Sequence, residues 1–170
     1  PQHGLFFARP TQGDLDLIGQ ANEARATLDF GPRADFTITP GPKSGDLIKH
    51  GVTSYLDLFS SRQLLYLHHA IDLLSGIEPL IRLNLALLVS TSLEFNSMLC
   101  GYKGADKRRP GAIRHAFSHH AYSLPYTALE NNPAYPEMTS GTLQKLFHDR
   151  IRRARHWARN PQERLIKKGE

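Results

Sequence analysis

The chain has 170 residues, 40% hydrophobic and 22% charged, which are the proportions of an ordinary globular protein with room for one core. Its single cysteine, Cys100, excludes an internal disulfide and suits a reducing interior, so a cytoplasmic location is expected. The net charge of +5 is uneven: residues 101–170 hold 14 Lys and Arg against 6 Asp and Glu, whereas residues 1–100 hold 7 against 10. This asymmetry points to a basic face for a polyanion on the C-terminal half, with a merely solvated basic helix as the alternative.

The sequence opens Pro1-Gln2-His3, without an initiator Met or a secretory apolar segment, and is expected to be a piece of a longer protein. Gly4 to Arg9 reads as a short strand bounded by Gly and Pro. Thr11-Gln12-Gly13-Asp14 reads as a helix start, continued by Leu15, Ile18 and Ala21 to Leu28. Gly31-Pro32, Pro40-Gly41-Pro42 and Ser44-Gly45 then make turns around an extended Phe36-Thr37-Ile38. Residues 1–50 are thus expected to be a turn-rich arm with one short helix and little core of its own. Any short strands belong to its first 40 residues.

Residues 51–170 read as a helical domain organised around Phe59 to Cys100. Ser60 or Ser61 suits a helix cap, and Leu64, Leu67, Ile71 and Leu74 fall at helical spacing. Pro79 suits the first turn of a second helix, which is apolar on nearly every side from Leu80 to Leu93. A helix apolar all round is expected to be a buried central post. Arg82, Asn84 and Glu94, with an uninterrupted apolar run short of roughly 18–20 residues, argue against a membrane span.

After Cys100 comes a basic loop, with Lys103, Lys107, Arg108 and Arg109. A segment near 112–122 is expected to be helical and carries Arg114, His115, His119 and His120. A last helix from about 140 to 158 should turn Leu143, Leu146, Phe147, Ile151, Ala154 and Trp157 inward, with Arg152, Arg153 and Arg155 outward. The fold class expected is mainly α.

Four ordered blocks carry a family resemblance. They are Leu58-Phe59-Ser60-Ser61-Arg62-Gln63-Leu64-Leu65, Phe95-Asn96-Ser97-Met98-Leu99-Cys100, Arg114-His115-Ala116-Phe117-Ser118 and Glu130-Asn131-Asn132-Pro133. The lead-in Arg9-Pro10-Thr11, with Asp14-Leu15, belongs with them. Together they resemble the central region of the large prokaryotic adenine-specific DNA methylases that also carry an N-terminal domain of unknown function. The resemblance implies a parent protein that uses S-adenosylmethionine and acts on DNA. It implies a cofactor loop upstream of this segment and an Asp-Pro-Pro-Tyr motif downstream, so the segment itself is expected to hold no cofactor and to be inactive alone.

Asn132-Pro133-Ala134-Tyr135 differs from Asn-Pro-Pro-Tyr at one position. In that motif an Asn and a backbone carbonyl accept from the adenine amine while the aromatic ring stacks on the flipped base. Asn132, Pro133 and Tyr135 are therefore the only catalytic candidates, and a Pro-rich turn is the default reading. His115 and His119 stand four apart, but no Glu completes a His-Glu-x-x-His pattern and no metal site is expected.

The cations expected to contact DNA phosphates are Lys103, Lys107, Arg108, Arg109, Arg114, His115, His119, Arg152 and Arg153. Pairing with acidic groups elsewhere in the parent protein is the alternative use for them. Arg62 is expected in a structural ion pair, with Asp57 as one partner within reach. A stand-alone helical protein-interaction module is the rival function.

Overall fold

A computed structural model describes residues 8–31, 35–103, 113–116, 124, 125 and 127–162. The fold is mainly α, as expected. Helix α1 spans Gln12–Arg25, α2 Gly45–Lys49, α3 Ser61–Leu74 and α4 Pro79–Ser92. The last helix runs as α5 (Leu143–Leu146), a π-helical stretch (Phe147–Arg152) and α6 (Arg153–Arg159). No helix among the described residues is long and apolar enough to cross a membrane.

Local chemistry sets the helix starts. Thr11 and Asp14 form a reciprocal cap on α1, Asp14 Oδ2 accepting from Thr11 N at 2.7 Å. Those bonds from Thr11 hold the Asp14 carboxyl below its usual range. Ser60 and Gln63 close the same box on α3, with Gln63 Oε1 2.9 Å from Ser60 N. Pro79 opens α4, whose first free amides, Leu80 N and Ile81 N, both donate to the Glu78 carboxylate at 3.0 Å.

Three expectations are corrected. The strands lie at Gly101–Tyr102 (β1) and Ile113–Arg114 (β2), paired antiparallel. Ile113 and Arg114 are therefore strand where helix was expected; the rest of that segment, except half-buried His115 and Ala116, lies outside the described residues. In the first 40 residues the described chain holds only one bridge, Thr37 with Ser54, and Gly4 to Phe7 lie outside the description.

The turn-rich stretch also supplies core. Ile38, Leu47 and Leu58 make a buried cluster, with Val52, Phe59, Leu99 and Leu124 packed around it. Ile38 N donating to Thr53 O (2.9 Å) and Tyr55 N to Phe36 O (2.7 Å) fold this loop over α2, which carries Leu47 fully inside.

The third correction concerns α4. It ends at Ser92 rather than running to 100, and only Leu88 and Ser92 on it are buried. Leu80, Ile81, Leu83 and Leu87 stand in water. What surrounds its C-terminal end is polar: Ser92 Oγ bonds Tyr66 Oη at 2.9 Å, and Asn96 Nδ2 donates to Ser92 O at 2.7 Å. Burial raises the Tyr66 pKa. Cys100 is wholly buried, a small core residue as expected, and Ser97 and Asn96 are buried through hydrogen bonds.

Candidate nucleic-acid interface

Between Leu143 and Arg159 the sequence has six Lys and Arg against a single acid, Asp149. Thr142 caps this helix, and Leu146 anchors it in the body. The π-helical stretch then changes the outcome expected for its inner face. Its i→i+5 pattern puts extra residue into the turn, so a stripe spaced for 3.6 residues slips out of line. Ile151 is half-buried, but every residue from Arg152 to Gln162 is exposed, including Ala154 and Trp157. Trp157 is 56% exposed rather than inward.

Most cations on this stretch have no ion-pair partner among the described residues, though Arg150 and Arg153 lie close enough to Asp149 to act on its charge. Lys145 Nζ, 2.9 Å from Asp149 Oδ2, holds that carboxyl below its usual range and uses the helix's one acid. Among the described residues no carboxylate lies within ion-pair distance of Arg152, Arg153, Arg155 or Arg159. Arg152 Nη1 donates to His148 Nδ1 at 2.8 Å, which places the His148 proton on Nε2 if that ring is neutral. His148, Arg152, Arg153, His156 and Trp157 line a shallow groove of about 520 Å³. Cations beside an exposed indole are the ingredients of a phosphate-and-base contact surface.

The other expected DNA contacts sit elsewhere. Lys103 and Arg114 are half-buried, at the end of β1 and on β2. His115 is engaged in the fold, with Nδ1 3.4 Å from Glu94 Oε1 and its ring edge-on to Phe95. Lys107, Arg108, Arg109 and His119 lie outside the described residues. The structure thus joins Arg152 and Arg153 with Trp157, and sets Lys103, Arg114 and His115 on different elements.

A second concavity was not foreseen. Arg62 does not reach Asp57, which instead pairs with Arg25 at 3.4 Å. Arg62 Nε and Nη2 each lie 2.9 Å from one oxygen of Glu130, and this hydrogen bonding raises the guanidinium pKa. Beside the pair, Gln63, Tyr66 and Asn131 to Ala134 complete a cleft of about 300 Å³. Asn132 and Tyr135 there form a turn: Asn132 Oδ1 accepts from Ala134 N at 3.1 Å, and Asn132 O from Tyr135 N at 3.2 Å. Pro133 is buried, and its carbonyl accepts from Leu143 N at 2.9 Å. The Asn132 amide oxygen, the acceptor an adenine amine would use, takes part in this turn.

His68, His69 and Asp72 bring three potential ligand atoms within 4.8 Å of one another. His68 Nε2 donates to Asp29 O at 3.1 Å, and Nδ1 lies 3.1 Å from Asp72 Oδ2. No family model, curated protein or solved structure matches the chain.

Proposed function

We propose that this chain is the helical, DNA-facing segment of an S-adenosylmethionine-dependent, adenine-specific DNA methyltransferase, and that it transfers no methyl group by itself. The motif blocks carry the methylase part of this reading. The observation that carries the DNA-facing part is the exposed end of the last helix, where Arg152 and Arg153 share a groove with an exposed Trp157. Pairing these side chains with phosphates would release counterions condensed on the duplex, giving affinity without sequence preference.

The cofactor does not fit the described residues. Cofactor binding in such enzymes uses a strand leading through a Gly-rich loop into a helix, whereas the strands among the described residues, β1 and β2, are two-residue antiparallel strands. Other parts of the parent protein, in this reading, supply cofactor and catalytic groups. In this reading the Arg62–Glu130 cleft is structural, holding the Asn132 turn against α3.

The test is fluorescence anisotropy with labelled duplexes of unrelated sequence over a range of salt. Binding should be sequence-tolerant and fall steeply with salt, and Arg152→Ala/Arg153→Ala should flatten the log–log slope by roughly one unit per lost phosphate contact. An unchanged slope in the double variant would remove α6 from the interface. The rival reading, a stand-alone helical interaction module, draws on the exposed leucines of α4. It predicts no duplex binding at any salt.

A further inference from the structure

Two contacts fix the state of His68 on α3. Its Nε2 lies 3.1 Å from Asp29 O, just beyond α1, and a carbonyl only accepts, so Nε2 carries a proton. In a neutral ring Nδ1 is then an acceptor, yet it faces a second acceptor, Asp72 Oδ2, at 3.1 Å. Lone pairs so placed repel unless a positive charge lies between them. That charge is either a second ring proton or a metal cation.

A third donor decides between the two. His68, His69 and Asp72 each offer one ligand atom, and all three atoms lie within 4.8 Å of one another. A shared proton uses His68 and Asp72 alone, whereas this spacing brings in His69 as well. His69 is exposed and makes no hydrogen bond among the described residues. Asp72 is exposed too, with no Lys or Arg within ion-pair distance among the described residues. It also stands in the last turn of α3, where unpaired carbonyls favour a cation.

The spacing suits a small divalent ion. Ligand atoms sit about 2.0–2.1 Å from zinc, so two that are 3.1 Å apart subtend about 100° there, between the octahedral and tetrahedral angles. Tetrahedral ligands are ~3.4 Å apart, and rotation of the exposed His69 side chain closes its remaining distance. The bond from Nε2 to a backbone carbonyl is the outer contact that metal-bound histidines make, which fixes the tautomer and the ring.

We propose that His68 Nδ1, His69 and Asp72 Oδ2 bind zinc(II), with water completing the coordination. Two imidazoles and a carboxylate suit that ion. Through His68 the site ties α3 to the segment after α1, so zinc binding stabilises the fold. His115 and His119, from which no metal site is expected, take no part. The proposal does not depend on the DNA-facing reading.

Calorimetric titration of the metal-stripped full chain with zinc tests it, alongside thermal melts. The wild type should take up one equivalent that raises its Tm. His69→Ala and Asp72→Asn, both at exposed positions, should keep the helical circular dichroism and each weaken that step by about tenfold or more. His50→Ala removes a second His–Asp pair four apart, on α2, and should bind zinc like the wild type. Long-range ¹H–¹⁵N spectra should show zinc shifting His68 Nδ1 and one His69 nitrogen while His68 Nε2 keeps its proton. Absence of zinc uptake, uptake unchanged in either variant, or a proton on His68 Nδ1 in the zinc-loaded chain overturns the proposal.

Discussion

Arg62 and Glu130, 68 positions apart, meet side-on through two 2.9 Å hydrogen bonds and tie the first turn of α3 to the segment leading into the last helix. The bidentate geometry is the strong form of an ion pair, but Arg62 is about half exposed, so solvent discounts it. Arg62→Ala and Glu130→Gln should each lower stability by about 1 kcal/mol, a fall in Tm of roughly 2–4 °C for a domain of this size. The double variant should lose little more than either single one, because both remove the same contact. Additive losses in thermal melts would show that the two side chains act separately.

Gly141 precedes the cap of the last helix with φ of 82°, a left-handed conformation that side chains resist. A Cβ there would collide with Asn131 Nδ2 and Phe95 Cβ. Gly141→Ala should therefore destabilise the protein by about 1–3 kcal/mol, with Gly141→Asn no better because space as well as φ is limiting. Denaturant midpoints measure this, and a neutral Gly141→Ala would mean that the Phe95 neighbourhood yields.

Glu78 accepts from the backbone amides of Leu80 and Ile81, which lowers its carboxyl pKa. A depressed folded-state pKa gives stability that is present above the unfolded value, about 4.3, and lost as pH falls through the folded value. The start of α4 should thus loosen in acid, with Leu80 and Ile81 amides losing protection before those near Leu88. Hydrogen exchange followed by NMR between neutral and acid pH checks this. Glu78→Gln should abolish the pH dependence at those two amides.

Signals that act within one helical turn were legible in the sequence. Thr11 with Asp14, Ser60 before α3 and Pro79 each marked a helix start that the structure keeps. Partners distant in the chain were not legible. Nothing local joins Arg62 to Glu130, or makes Ile113 and Arg114 pair with β1 rather than coil. Leu80 and Leu83 mislead for a related reason: an apolar helix announces that something should cover it, not that its own chain does. Trp157 was placed on the wrong side because a π-helical stretch shifts the stripe, and a 3.6-residue count does not register that.

Trp157 is the only tryptophan in the sequence, so fluorescence excited selectively at the indole, beyond tyrosine absorption, reports on α6 alone. The indole is exposed, and its Nε1 donates to Gln162 O at 3.4 Å. Iodide should quench the free chain efficiently. If α6 faces DNA, saturating duplex should protect Trp157 from iodide and shift its emission, and the protection should fade as added salt releases the duplex. Arg153→Glu should abolish the protection at intermediate salt while leaving quenching of the free chain unchanged. Binding detected by anisotropy without any change at Trp157 would move the contact away from α6, toward the basic residues that follow Cys100. Protection that persists in high salt would instead mark an apolar contact, the behaviour of a face that docks protein rather than phosphate.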